Sequence, residues 1–130
     1  MAIDPKTILV VDDEQSIRQF LRRIFSREGF RILEASHGIE ALDVFRRQID
    51  DIHLVLMDIS MPHMDGPTCA RLILKEKPQI PVLYMSGDMD PALMPKELTN
   101  LTMAFLAKPF TVQDILFKAR SLLETGSKDS

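Results

Sequence analysis

Five short apolar runs, separated by segments with helical spacing, constrain the fold of this chain more than any other feature. The runs are "TILVV" at 7–11, "RILEA" at 31–35, "LVLM" at 54–57, "VLYM" at 82–85 and "AFLA" at 104–107. Each run has the length of a β-strand, and the first, third and fourth are continuously apolar, which is typical of parallel strands covered by helices on both faces. The alternation therefore predicts an α/β fold of five βα units around a doubly wound parallel sheet.

The predicted helices are defined by apolar residues that recur at i, i+3 and i+4. The stripes are Ile17, Phe20, Leu21, Ile24 and Phe25; Ile39, Leu42 and Phe45; Cys69, Leu72 and Ile73; and Val112, Ile115, Leu116, Ala119, Leu122 and Leu123. Gly29 is placed to end the first helix, and Thr111 with Asp114 to cap the last one. A helix after Asp90 is predicted to be short, kinked or late in starting, because Pro95 removes a backbone donor.

Length and composition indicate one domain without a charge specialised for nucleic acid or membranes. The chain has 130 residues and a net charge of -3, so a basic surface for phosphate backbones or anionic lipid is not expected. We expect a single domain over 1–130, with its core at about 7–124 and a flexible tail at 125–130. A single cysteine and the lack of an apolar leader pattern favour a cytoplasmic location.

Charged and hydroxyl side chains follow four of the five predicted strands. Asp12 and Asp13 come after the first strand, Asp58 after the third, Ser86 at the end of the fourth and Lys108 after the fifth. In an open parallel sheet, ligands bind beyond the carboxyl ends of the strands, where the strand order reverses. The sequence therefore predicts that these side chains form one site.

Carboxylates brought together in this way need compensating positive charge. Lys108 supplies one cation, and Mg²⁺ is the natural second because it prefers oxygen ligands and often bridges carboxylates to phosphate oxygens. A metal held by Asp13 and Asp58, with Lys108 and the Ser86 hydroxyl, would surround a phosphoryl group attacked by Asp58. The loop "MPHMDG" at 61–66 is predicted to be tight, with a glycine, Gly66, that can adopt the positive φ of such a turn.

Four segments of the chain together resemble a known family. The segments are "VVDDE", "LVLMDISMPHMDG", "YMSG" and "FLAKPF". In this order and spacing they resemble the response-regulator receiver domain of two-component signal transduction, from about Thr7 to Glu124. The resemblance implies a flavodoxin-like sheet of strand order 2-1-3-4-5. The segments "YMSG" and "FLAKPFT" are also similar to the receivers of hybrid histidine kinases.

The resemblance also implies a mechanism. Asp58 would accept a phosphoryl group from a phosphohistidine on a histidine kinase or a histidine phosphotransfer domain. Mg²⁺ would be held by Asp13, Asp58 and the backbone carbonyl of Ser60, with Asp12 assisting directly or through water. The chain would catalyse its own phosphorylation and dephosphorylation only, so it is not expected to be an enzyme with a separate substrate.

A conformational switch is implied as well. Ser86 would turn toward the phosphoryl group, and Phe105 would move inward to fill the vacated space. The peptide bond before Pro109 would be cis. The phosphorylated state would then change the binding of a downstream protein.

Two other functions stay open at this point. An aspartyl phosphohydrolase commonly needs a second acid two positions after its nucleophile, and Ser60 occupies that position here. A phosphate-independent protein-binding module would have lost some site residues, whereas all of the expected ones are present. A nucleotide or flavin module is disfavoured because no glycine-rich phosphate-binding pattern follows the first strand.

Overall fold

The structure is a computed structural model that describes residues 5–87 and 103–127. Its elements are β1 (Thr7–Val11), α1 (Gln15–Arg27), β2 (Arg31–Ala35), α2 (Gly38–Arg47), β3 (Ile52–Asp58), α3 (Gly66–Glu76), β4 (Val82–Ser86), β5 (Met103–Ala107) and α4 (Val112–Ser127). All five predicted strands are confirmed, and β3 begins two residues earlier than its apolar run. The helix predicted after Asp90, with Pro95 in it, lies outside the described residues.

The five strands form one parallel sheet of order β2-β1-β3-β4-β5. The strand order reverses between β1 and β3. The crossover through α1 places β2 on one side of β1, and the crossover through α2 places β3 on the other side. In this pair Val11 lies opposite Met57 in the register. Asp12 and Asp58 are the next residues along the two strands, so the reversal point brings two acids to the same edge of the sheet.

Strand side chains alternate between two apolar layers, one on each face of the sheet. Leu9 and Val11 of β1 belong to the layer covered by α2 and α3, whereas Ile8 and Val10 belong to the layer covered by α1 and α4. Every residue of β1 and β4 is buried, as expected for central strands covered on both faces. This packing holds the strand ends in fixed positions around the site.

The predicted helix ends are confirmed for α1 and α4. The N–H of Asp114 donates to Oγ1 of Thr111 at 3.0 Å, and the N–H of Thr111 donates back to Oδ2 of Asp114 at 3.3 Å. After α1, Gly29 has a φ of 88° and its N–H donates to the carbonyl of Ser26. Such a left-handed residue ends a helix and suits glycine because it has no Cβ.

Three members of the predicted apolar stripes are more exposed than the spacing indicates. Ile39 is 63% exposed, Val112 is 43% exposed and Phe20 is 39% exposed. On the 3.6-residue period of the helix, Ile39 lies about a third of a turn from the centre of the arc formed by Ala41, Leu42 and Phe45, which are buried. The three-residue spacing therefore predicted the helix correctly but overestimated the burial of Ile39.

No helix in the described ranges is long and apolar enough to cross a membrane.

Candidate functional site

Three carboxylates converge at the edge of the sheet where the strand order reverses. One oxygen from each of Asp12, Asp13 and Asp58 lies within 4.8 Å of the others. Asp12 and Asp58 are buried, whereas Asp13 is exposed. The loop after β1 and the end of β3 thus form an acidic pocket that opens toward solvent at Asp13.

Lys108 enters the same pocket from the loop after β5. Its Nζ lies 2.9 Å from Oδ2 of Asp12 and 3.9 Å from Oδ1 of Asp58, and its side chain is 16% exposed. Its backbone N–H donates to the carbonyl of Ser86 at 2.8 Å, which ties the β5 loop to the end of β4. The peptide bond from Lys108 to Pro109 is cis, the isomer that the resemblance implies.

Asp12 is held on every side. Its Oδ2 pairs with Lys108, its Oδ1 accepts the N–H of Glu14 at 2.9 Å, and its own N–H donates to the carbonyl of Ala35 at 3.1 Å. Both carboxylate oxygens therefore already have donors. Asp13 and Asp58 are left as the more available oxygen ligands in the pocket.

The pocket is short of positive charge. Burial raises the pKa of Asp58 to about 7, and the nearby carboxylate of Asp12 adds to the rise, while Lys108 opposes it. Burial by itself lowers the pKa of Lys108, but its contacts with Asp12 and Asp58 outweigh that effect and the pKa is raised. Among the residues that the structure describes, one ammonium thus faces three acids, and the raised pKa leaves a large share of Asp58 protonated near neutral pH unless a further cation arrives.

This donor set fits a hard divalent cation. Carboxylate oxygens are the ligands that Mg²⁺ prefers, and one or two carboxylates with water complete its usual shell. A cation beside Asp13 and Asp58 would also remove the repulsion that raises the pKa of Asp58. The residues of the pocket therefore agree with the Mg²⁺ expectation.

The other predicted site residues lie around this pocket. Ser86 is buried at the end of β4, and Ser60 is exposed two residues after Asp58. Phe105 is half-buried in β5, opposite Tyr84 in the register, and packs against the apolar layer under α2 and α3. Every residue that the sequence assigned to the site therefore belongs to the same edge of the sheet, or, for Phe105, to the strand that leads into it.

Gly66 has a different role from the predicted one. In the described residues, positive φ occurs at Gly29 and at His63, whose φ is 69°, so the prediction for Gly66 is wrong. Gly66 is the first residue of α3, and a Cβ there would lie 2.2 Å from the carbonyl oxygen of Asp58. Glycine is needed because α3 starts directly against the backbone that carries Asp58, a contact that the local sequence does not reveal.

A doubly wound α/β protein with an acidic cation pocket at the strand reversal is the class that the fold and site define. The sequence model for "Response regulator receiver domain" matches residues 8–120. This chain belongs to the response regulator receiver domain family.

Three similar proteins illustrate the range of the family. The chain is 31% identical over 118 residues to the sensor kinase CckA of Brucella abortus, 34% over 110 residues to sporulation initiation phosphotransferase F of Bacillus subtilis, and 32% over 125 residues to the response regulator MprA of a Mycobacterium species. These alignments cover 91%, 83% and 96% of this chain, respectively. They span 12% of the sensor kinase, 86% of the phosphotransferase and 54% of MprA.

Solved structures agree with this assignment. A receiver domain protein from Clostridium thermocellum superposes with a TM-score of 0.89 and 27% identity, covering 96% of this chain and 99% of that one. A chain of the CheX-CheY-BeF3-Mg²⁺ complex from Borrelia burgdorferi superposes with a TM-score of 0.77 and 31% identity, covering 91% of this chain and 89% of that one. As a receiver domain, the chain is a phosphoacceptor module of signalling.

Proposed function

We propose that Asp58 is the phosphoacceptor and that Lys108, Ser86 and a bound Mg²⁺ assist the transfer. The observation that carries the proposal is the position of the Lys108 ammonium, 3.9 Å from Asp58 and 2.9 Å from Asp12, beside three clustered carboxylates. An acid meant only for structure would not need a carboxylate cluster with one shared counter-ion. Asp58 is the acid at the end of the central strand β3, where a transferred group can reach both Lys108 and Ser86.

In the proposed transfer, a carboxylate oxygen of Asp58 forms a bond to the phosphorus of a phosphohistidine. The P–N bond of the donor breaks, and its electron pair stays on the imidazole, which leaves in neutral form after binding one proton. Lys108 and the Ser86 hydroxyl contact the phosphoryl oxygens, on which charge accumulates. In the later hydrolysis, water attacks the phosphorus and Asp58 regains its carboxylate as inorganic phosphate leaves.

The proposed metal ligands are Asp13, Asp58 and the Ser60 carbonyl. When bound, Mg²⁺ would neutralise the carboxylates and the incoming phosphoryl group. Because Asp12 already accepts from Glu14 and Lys108, we place it as a ligand that acts through water. The Borrelia complex that contains BeF3 and Mg²⁺ supports an ion of this kind in the family.

The proposed output is a change of shape around β4 and β5. Ser86 would turn toward the phosphoryl group and Phe105 would move inward, as the family resemblance implies. The half-buried position of Phe105, opposite Tyr84, supports this proposal because the side chain packs against the apolar layer and is still partly exposed. A partner that binds one position of Phe105 better than the other would shift the equilibrium.

The proposed donor is a histidine kinase or a histidine phosphotransfer domain, and the chain acts as one receiver domain with its core at about 7–124. The similarity to a sensor kinase and to a phosphotransferase of sporulation supports this class of partner. The proposed activity is limited to the chain's own phosphorylation and dephosphorylation.

Intact mass spectrometry tests the acceptor. Incubation with Mg²⁺ and acetyl phosphate is expected to add one phosphoryl group to the wild-type protein and none to Asp58→Asn. The matched control is Asp43→Asn, because Asp43 is an exposed acid on α2 that pairs with Arg47 away from the pocket. An adduct on Asp58→Asn would contradict the proposal. Absence of a wild-type adduct with acetyl phosphate and with phosphohistidine donors would favour a phosphate-independent binding module, and steady turnover of a phosphomonoester would favour a phosphohydrolase.

A further inference from the structure

Arg18 contacts the backbone of the acidic loop from the first turns of α1. Its Nη1–H donates to the backbone carbonyl of Asp12 at 2.6 Å, and its Nε–H donates to Oε1 of Glu34 at 3.2 Å. Its side chain is only 15% exposed, although helical spacing alone would place it on a solvated face. We propose that Arg18 is a positioning residue for the cation pocket, an inference that rests on the proposed function.

The carbonyl that Arg18 binds belongs to the peptide group that joins Asp12 to Asp13. Because a peptide group is planar, the direction of this carbonyl determines where the nitrogen of Asp13 lies and therefore where its Cα begins. Asp13 is exposed and shares one side-chain hydrogen bond with Asp58, so its position also depends on its backbone, whereas Asp12 is held by Lys108 and Glu14. Arg18 thus acts on the pocket through the placement of Asp13.

The start of α1 lacks a side-chain cap, and the loop before it is bridged by the bond from the Glu14 N–H to Oδ1 of Asp12. Glu14 is the N-cap residue of α1, and its side chain makes no capping hydrogen bond. Without a side-chain cap, the turn from Asp13 into the helix has a backbone that can rotate more easily. The Arg18 guanidinium, one turn into α1, closes this gap by joining the helix to the carbonyl of Asp12.

Glu34 of β2 holds the guanidinium in place. Its Oε1 accepts from Arg18, and its Oε2 accepts from Arg22, whose side chain is 50% exposed. The carboxylate of Glu34 offsets the charge of Arg18, so the contribution of Arg18 to the pocket is chiefly geometric. Arg22 lies one turn further along the same helix and binds the same acid, which makes it a matched control.

Calorimetric titration of Mg²⁺ into the phosphate-free protein tests the proposal. We expect Arg18→Met to bind Mg²⁺ about tenfold more weakly, the lower end of the range seen when outer-shell partners of a metal site are removed. Arg22→Met is expected to stay within about twofold of wild type because it removes only a half-exposed ion pair. Hydrogen exchange without Mg²⁺ should be faster at the amides of Asp13 and Glu14 in Arg18→Met and unchanged in Arg22→Met.

The phosphorylation rate separates positioning from direct participation. In Arg18→Met, the Mg²⁺ concentration for half-maximal phosphorylation by acetyl phosphate should rise about tenfold, as the affinity does. The rate at saturating Mg²⁺ should stay close to that of wild type, because Asp58 and Lys108 are unchanged. A rate that stays low at saturating Mg²⁺ would overturn the positioning role.

The outcomes distinguish this inference from the function beneath it. A wild-type protein that binds Mg²⁺ and accepts a phosphoryl group, beside a folded Arg18→Met with the same affinity and exchange, would overturn the inference alone. An equal loss in Arg22→Met would also overturn it. If Arg18→Met does not fold, Glu34→Gln decides: it should weaken Mg²⁺ binding in the same direction, and wild-type affinity would overturn the inference. Failure of the wild type to accept phosphate at Asp58 would instead remove the proposed function.

Discussion

Asp58 combines two properties that conflict in an ordinary carboxylate. It is buried beside Asp12, which favours its protonated form, yet its proposed reaction requires the ionised oxygen. Lys108 offsets part of the repulsion at 3.9 Å. A divalent cation beside Asp13 would offset the rest, so the residue is arranged to become reactive when metal binds.

The raised pKa of Asp58 makes stability depend on pH in the absence of divalent ions. The folded protein holds this proton up to about pH 7, whereas an unfolded carboxyl loses it near about pH 4. The folded state therefore loses stability as the pH rises through this range. We expect Asp58→Asn to become more stable than wild type by on the order of 2 kcal/mol above about pH 7, with the difference vanishing near about pH 4.

Urea unfolding of both proteins across this pH range, without Mg²⁺, measures the difference. Asp43→Asn serves as the control and should follow the wild type, because its carboxylate is exposed on α2. A difference between Asp58→Asn and wild type that does not change with pH would show that burial does not control this group.

Gly66 is constrained by space rather than by backbone angle. In Gly66→Ala, the new methyl group would lie 2.2 Å from the carbonyl oxygen of Asp58 and 2.9 Å from Cα of Ile59. We expect a loss of about 2 to 3 kcal/mol in the free energy of unfolding, since overpacking moves backbone that cannot yield. Gly87→Ala is the matched control, because its nearest described atom is Cβ of Lys108 at 4.0 Å. Equal losses in the two variants, measured by urea unfolding, would contradict this explanation.

At the scale of elements, the ends of helices and strands show how local signals work. The last helix, α4, begins where Thr111 and Asp114 exchange hydrogen bonds, and α3 begins where Asp65 accepts the N–H of Thr68. These short-range bonds satisfy backbone donors that a helix leaves without partners at its start. The cap at Thr111 lies close to the site along the chain, because α4 starts four residues after Lys108 and follows the loop that carries it.

Removal of the Thr111 cap should destabilise the protein without altering the pocket. We expect Thr111→Ala to lower the free energy of unfolding by about 1 kcal/mol, a typical value for an N-cap, while Mg²⁺ affinity is retained. Thr111→Ser is the control, because it keeps the hydroxyl that accepts from Asp114. Chemical denaturation measures the first effect and calorimetry the second. A loss in Thr111→Ser as large as that in Thr111→Ala would mean that the methyl group, not the cap, is responsible.

The whole molecule is organised around the reversal of strand order between β1 and β3. This reversal puts Asp12 and Asp58 beside each other, and the pairing of β4 with β3 and β5 brings Ser86 and Lys108 to the same edge. Apolar layers on both faces hold the five strands in register. Folding therefore supplies the free energy that keeps like charges together in the pocket.

Repulsion among the clustered carboxylates destabilises the folded state, so a cation that binds the pocket should offset part of that repulsion. At a free Mg²⁺ concentration about 100 times its dissociation constant, the free energy of unfolding should rise by about 2.7 kcal/mol. Asp13→Asn should lose most of this gain, since it removes an available oxygen ligand. Thermal or urea unfolding with Mg²⁺, against sodium chloride of equal ionic strength, measures it. An equal gain in wild type and Asp13→Asn would indicate a general salt effect instead.

Sequence reasoning predicted much of the fold and the chemistry of the site. The strands, the caps at Thr111 and Gly29, and the gathering of Asp12, Asp58 and Lys108 all follow from local patterns combined with the rule for strand ends. It misplaced the burial of Ile39 and the reason for glycine at position 66. Both depend on how a helix is rotated or placed against its neighbours.

The sequence by itself determined the alternation of strands and helices and the identity of the groups at the strand ends, because side-chain periodicity and capping act over a few residues. Only the tertiary structure decided which carboxylate oxygens at the strand ends are already hydrogen-bonded and which stay available to a cation. The bond from Lys108 to Asp12 joins residues 96 positions apart, and the contact of Arg18 with the Asp12 carbonyl depends on the orientation of α1 over β2. Such contacts arise from the packing of whole elements, which no short stretch of chain encodes.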